Sequence, residues 1–274
     1  MAKATINGVE LFYDEHGSGE PILIHHGYTG SHYTWDDVVP HLADRYRVFR
    51  MDCRGTVDSG HPEDGHTIEQ YAADVIGMAD HLGLSKFTYV GHSMGGVIGY
   101  ELGLSYQDRL NKLVVLTPAP ADGVQAPPEI HARGRALRKA EDVETMVRES
   151  IALAARPRPQ AWYEEDTRRR LKISDAHYDQ SWDALCSYHK GDRLGEITVP
   201  TLMIAAAADG LLTSNLADFA RLGNATLHVF SRVSHGVPSE VPEELANVIA
   251  DFVQHGVVTA ATLQRGLREM AAAR

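Results

Sequence analysis

The sequence predicts an α/β protein, a mostly parallel sheet flanked by helices, and three observations lead there. Short apolar runs alternate with helix-length amphipathic segments along most of the 274 residues, as expected for parallel strands buried on both faces. That rhythm stops at Thr117-Pro118-Ala119-Pro120 and resumes at Thr201-Leu202-Met203-Ile204-Ala205, leaving about eighty residues with no buried-strand pattern. A glycine-rich turn, Gly91-His92-Ser93-Met94-Gly95, joins an apolar strand to a helix. Residues 1–120 and 198–274 should therefore form the core, and residues 121–197 a helical insertion between two strands.

Each element has a local reason. Residues 4–6 and 9–13 flank Asn7-Gly8, which accepts the positive φ angles of a type I′ hairpin turn. Residues 21–25 read as a buried strand, followed by the turn His26-Gly27-Tyr28-Thr29-Gly30. Residues 35–43 have a helical pattern, which Pro40 opposes. Residues 46–51 form a strand. Residues 67–82 form a helix, with Thr67 as N-cap and Gly83 as its stop. Residues 87–90, 112–116, 201–205 and 226–230 are further strands, and 97–104 and 243–253 are helices. Within the insertion, 129–187 is helical, broken by Arg156-Pro157-Arg158-Pro159. Residues 255–274 are a helix-prone tail that can pack on the body, fray, or join copies into a homo-oligomer.

Composition narrows the function. A formal charge of −11 argues against broad binding to nucleic acid or anionic membranes. Cys53 and Cys186 read as free thiols. The fifteen histidines show no HExxH or CxxC spacing, so no metal site is expected. Residues 1–10 are polar and strand-like, and no apolar run approaches the ~18 residues of a membrane span. A cytoplasmic protein acting on a small molecule is expected.

The chemistry centres on Ser93. G-x-S-x-G between a strand and a helix makes a sharp turn that lifts a serine hydroxyl above the sheet edge. The alternative is a glycine-rich packing turn; the strand–turn–helix context favours the catalytic reading. A hydroxyl is a poor nucleophile at neutral pH and needs a base. His235 follows the last strand, and Asp209 follows the strand before it. The order Ser93, Asp209, His235 is the order of a nucleophile, an orienting acid and a base on this kind of sheet. Asp122, shortly after the 112–116 strand, is the rival acid. An oxyanion needs donors already aimed at it; the candidates are the backbone N–H groups of Met94 and Tyr28.

Together these residues resemble the α/β-hydrolase superfamily, especially its lid-bearing esterase, lactonase and cofactor-free haloperoxidase-like branch. The resemblance runs from about residue 5 to residue 253. It rests on His26-Gly27, Trp35, Asp52-Cys53-Arg54-Gly55, Ser59, Asp74, the Ser93 turn with Gly96, Pro200-Thr201-Leu202, Asp209 and Ser234-His235. It implies a Ser93–Asp209–His235 triad, the insertion as a lid, and no cofactor. The chain departs from the family's RGHGxS, reading Arg54-Gly55-Thr56-Val57-Asp58-Ser59, so another loop shape is expected there. Four alanines, 205–208, precede Asp209 where the family often has GDxD. Ser at position 93 disfavours epoxide and haloalkane chemistry, for which related folds use a carboxylate nucleophile. The expectation is a serine hydrolase of a carboxylic ester or lactone. The rivals are a C–C bond hydrolase of a ring-cleavage diketone and a triad-bearing small-molecule receptor.

Specificity should come from the insertion. Residues 131–170 carry ten Lys or Arg and seven Asp or Glu, +3 locally. That charge could draw an acidic substrate, or belong to solvated helix faces. Trp162, Tyr163, Tyr178 and Trp182 could line an apolar pocket or pack the insertion.

Overall fold

The computed structural model describes residues 2–272. In chain order the strands are β1 (Ala2–Ile6), β2 (Val9–His16), β3 (Glu20–His25), β4 (Tyr46–Met51), β5 (Phe87–His92), β6 (Leu110–Leu116), β7 (Thr201–Ala206) and β8 (Ala225–Phe230). They form one sheet in the order β1-β2-β4-β3-β5-β6-β7-β8. β1 and β2 make the hairpin at Asn7-Gly8, whose φ angles are +46° and +81°. β2 is antiparallel to β4, and every later neighbour pair is parallel.

The helices are α1 (Val39–Ala43), α2 (Ile68–His81), α3 (Met94–Ser105), α4 (Pro128–Lys139), α5 (Val143–Leu153), α6 (Gln160–Arg170), α7 (Asp175–Ser187), α8 (Leu212–Arg221), α9 (Val237–Glu240), α10 (Pro242–His255) and α11 (Ala260–Ala272). Thr67 caps α2 by accepting the Gln70 amide at 3.1 Å, and Gly83 follows its end at φ +69°. α4 to α7 all lie between β6 and β7.

Side chains alternate across each strand, so the central strands feed two cores. Leu23, Tyr89, Leu113 and Met203 pack on one face with α2 and α3. Ile22, Ile24, Val90, Val114 and Ile204 pack on the other with Trp35 and the α10 residues Leu245 and Ile249.

One expectation needs correction. Residues 35–43 are not one helix: a 3₁₀ turn, His32–Trp35, precedes α1, and Pro40 lies in the first turn of α1. Proline has no N–H and its ring collides with the carbonyl four residues back, so it fits a helix start and not its middle. The tail, expected to be helix-prone, is helical over α11. Gly256, at φ +68°, separates α10 from α11. α11 leaves Leu263, Leu267 and Met270 exposed; residues 273–274 of the expected tail lie outside the described residues. Among those described, no helix is long and apolar enough to cross a membrane.

The strand order also places the site. From β3 the chain goes to β4 on one side, while β5 lies on the other side of β3. Connections leaving the carboxyl ends of β3 and β5 therefore diverge and open a crevice between them. Tyr28 follows β3 and Ser93 follows β5.

Candidate active site

Ser93 sits at φ +57° and ψ −113°, a conformation that L-residues avoid. Such strain costs roughly 1–3 kcal/mol and persists only where its surroundings over-determine it. Here the Ser93 amide donates to Leu116 O at 2.9 Å. Its carbonyl accepts from the amides of Gly96 at 2.9 Å, Val97 at 3.3 Å and Ala119 at 3.3 Å. The glycines are required by close approach. A Cβ on Gly91 would overlap the Gly95 carbonyl, and one on Gly95 would lie 2.7 Å from His26 O.

The loops after β7 and β8 bring Asp209 and His235 together. His235 Nδ1 donates to Asp209 Oδ2 at 2.8 Å, which leaves Nε2 as the proton acceptor of a neutral ring. The other Asp209 oxygen accepts the Leu211 amide at 3.1 Å, so backbone supplies a contact that the preceding alanines cannot. Burial pushes the Asp209 carboxyl up, but the His235 hydrogen bond and charge more than reverse this and hold it below its ordinary range. Asp122 does not approach His235's ring bond; it is exposed and pairs with Arg221 at 2.6 Å. His92 was not singled out from sequence, because the motif leaves its position open. Its Nε2 donates to the His235 carbonyl at 2.9 Å. Burial, then the neighbouring His235, pushes His92 down to about 3, so it stays neutral beside the candidate base.

The peptide between Gly27 and Tyr28 is fixed from its carbonyl side. His26 Nε2 accepts the Cys53 amide at 3.0 Å, so the ring proton is on Nδ1, which donates to Gly27 O at 2.7 Å. The Gly30 amide donates to the same oxygen at 3.1 Å. In a trans peptide the Tyr28 N–H then points the opposite way. Gly27 packs against Ser93 so tightly that a Cβ there would lie 2.9 Å from the serine Cβ. Among the described residues, no acceptor takes the Tyr28 or Met94 amide.

A cavity of about 330 Å³ opens over these groups, lined by Tyr28, Ser93 and His235 from the core and by Trp162, Asp166 and Arg170 from α6. α7 is locked to the core beside it. His177, fully buried, donates from Nε2 to Tyr28 O at 2.7 Å, while the Tyr28 phenol donates to Tyr178 O. The Tyr28 ring thus packs the insertion as well as facing the cavity. Nothing in the sequence marks His177, since a lone histidine on a helix carries no pattern. The Arg54–Ser59 loop is also tied down: Arg54 makes two 2.7 Å bonds to buried Asp74, and Ser59 Oγ donates to Asp52 O at 2.9 Å.

The basic excess of the insertion is mostly paired. Arg133 meets Glu149, Arg135 meets Asp179, Arg168 and Arg169 meet Glu164 and Glu165, and Arg158 meets Asp37 at 2.8 Å. That is the mixed-charge reading, not a field aimed at an acidic substrate. Trp162 lines the cavity, whereas Tyr163 is buried and accepts the Arg158 amide.

Residues 20–240 match the family described as the alpha/beta hydrolase fold. The chain belongs to the α/β-hydrolase family. This hydrolase is 31% identical over 259 residues to a non-heme haloperoxidase of Rhodococcus erythropolis, covering 84% of this chain and 91% of that protein. A 118-residue stretch is 35% identical to a soluble epoxide hydrolase of Corynebacterium sp., covering 43% of this chain but only 41% of that protein. Among solved structures, Est816, an N-acyl homoserine lactone degrading enzyme, superposes with a TM-score of 0.78 at 25% identity. That match covers 92% of this chain and 100% of the other.

Proposed function

We propose that this α/β-hydrolase cleaves a carboxylic ester or lactone of a small molecule through an acyl-enzyme on Ser93. The observation that carries the reading is the strained Ser93 turn sharing one cavity with His235, whose far nitrogen is held on Asp209 at 2.8 Å. The likeness to Est816 supports acyl chemistry. So does serine at position 93, where epoxide-opening relatives of this fold use a carboxylate.

The steps follow from these groups. His235 Nε2 takes the Ser93 proton as Oγ attacks the carbonyl carbon, and the carbonyl π electrons move to oxygen. The Tyr28 and Met94 amides donate to that oxyanion. When the tetrahedral adduct collapses, the C–O bond breaks and His235 protonates the departing alcohol. Water, deprotonated by His235, then attacks the acyl carbon and releases Ser93 and the acid. Asp209 keeps the imidazole in the needed tautomer and stabilises its cation. Residues 121–197 act as a lid that closes the cavity from above.

The test is steady-state turnover of ester, lactone and diketone panels by the wild type and Ser93→Ala. Ester or lactone turnover that falls at least ~10⁴-fold in the variant is expected. Unchanged turnover overturns the mechanism. Cleavage of the diketone alone, or one slow turnover with a ligand-induced rise in stability, overturns the ester assignment.

A further inference from the structure

A second cavity, of about 270 Å³, lies inside the insertion between α4, α5 and α7. Tyr28, Thr29 and Arg170 line both this cavity and the one over Ser93, so the two share a wall. Its lining is mainly apolar, with Leu137 and Met146 from α4 and α5 facing Tyr178 and Trp182 from α7. Ile130 and Leu153 also line it, and both are large apolar side chains left exposed. Solvated apolar side chains at the mouth of an apolar cavity are a surface that an apolar ligand would cover.

The charged groups around it already have partners. Arg138 donates to the carbonyls of Arg170 and Ile173, both at 2.7 Å, and its guanidinium lies over the Tyr178 ring. Glu149 pairs with Arg133, and His131 faces Asp179 at 3.6 Å. Arg170 donates to Thr29 Oγ1 at 3.0 Å and faces Asp166. What remains for recognition is the aromatic wall, where His131 stacks on Trp182 and Tyr178.

We infer that this cavity is a subsite for an uncharged apolar arm of the substrate, a medium-length alkyl chain, running past Tyr28 and Arg170 from the bond over Ser93. The inference rests on the ester reading above and adds the substrate class to it. Each methylene that enters the subsite should tighten binding about fourfold.

The experiment compares kcat/KM for butyrate and decanoate p-nitrophenyl esters, and for butyl and decyl acetates, in the wild type, Ser150→Phe and Leu153→Gln. Ser150 lines the cavity, so phenylalanine there fills it, while Leu153 is exposed and its change spares folding. The expected result is a long-over-short ratio above about tenfold in one series, collapsing in Ser150→Phe and weakening in Leu153→Gln. A ratio near one in the wild type, or unmoved in both variants, overturns the subsite. Titration of 1-decanol into the Ser93→Ala protein reads the subsite without turnover. Binding that Ser150→Phe abolishes supports it even if no ester is cleaved, and absence of binding there overturns it.

Discussion

The turn at Ser93 and the outer helices of the insertion are built by opposite means. At Ser93 four backbone hydrogen bonds and close packing at Gly27, Gly91 and Gly95 fix one strained residue. α4 buries none of its side chains, and α5 buries only Val147. α7 lies between the two cases. It buries His177, Tyr178, Ser181 and Leu185 and is pinned through Tyr28 to the turn after β3. The difference teaches where each property resides. On the proposed mechanism, chemistry depends on atoms held to fractions of an ångström at strand ends, whereas substrate choice would fall to helices with few buried side chains. One helix, α7, connects the two.

Three changes probe that contrast, beginning with the largest effect. Asp209→Asn should lower kcat about 10⁴-fold by presenting the wrong imidazole tautomer to Ser93, while Asp122→Asn changes it little. If only the Asp122 variant is crippled, the strand-end assignment breaks. The check is kcat for both variants on one ester.

The second change lies at the boundary between the regions. Asp218 on α8 accepts the amide of Ala121, between β6 and α4, at 3.0 Å. Burial, only partly offset by the Ala121 amide and the Arg221 charge, pushes its carboxyl up to about 6 from 3.8. A folded value above the unfolded one means that folding favours the neutral acid. The stability it contributes is fully present below pH 3.8 and is lost as pH rises through about 6. The ionised form then costs roughly 2–3 kcal/mol at pH 7. Asp218→Asn, which keeps an acceptor for Ala121, should be more stable than the wild type at pH 7.5 and level with it near pH 4. Melting curves across that range check this; a constant offset at every pH would remove Asp218 as the titrating group.

The smallest effect concerns α7. Tyr28→Phe deletes the phenol bond to Tyr178 O but keeps both His177 and the Tyr28 amide. A single such bond is worth about 1 kcal/mol. Unfolding midpoints should fall accordingly, and kcat should drop several-fold with KM nearly constant if α7 positions the turn. A change in KM alone would place Tyr28 with substrate binding.

Much of this was legible from sequence, for reasons specific to each element. The hairpin, the α2 caps and the Ser93 turn depend on residues adjacent in the chain, and local chemistry settles them. The meeting of Asp209 and His235 was legible because chain order repeats as spatial order from β5 to β8. The 35–43 segment divides because Pro40 fits only the first turn of a helix, which apolar spacing does not register. His92, His177 and Arg170 carry no sequence signal for their contacts, because their partners are a carbonyl after β8, a carbonyl after β3 and a threonine in the β3–α1 loop. No local pattern encodes such contacts.

The sequence by itself determined the alternation that makes a parallel sheet, the serine turn, and which residue types could act there. Periodicity and glycine placement are short-range properties, and the backbone answers to them directly. Only the tertiary structure decided that Asp209 rather than Asp122 holds His235, that His26 aims the Tyr28 amide, and that the insertion contains a second cavity sharing a wall with the first. Those outcomes depend on distances between segments far apart in the chain, which packing of the whole domain sets.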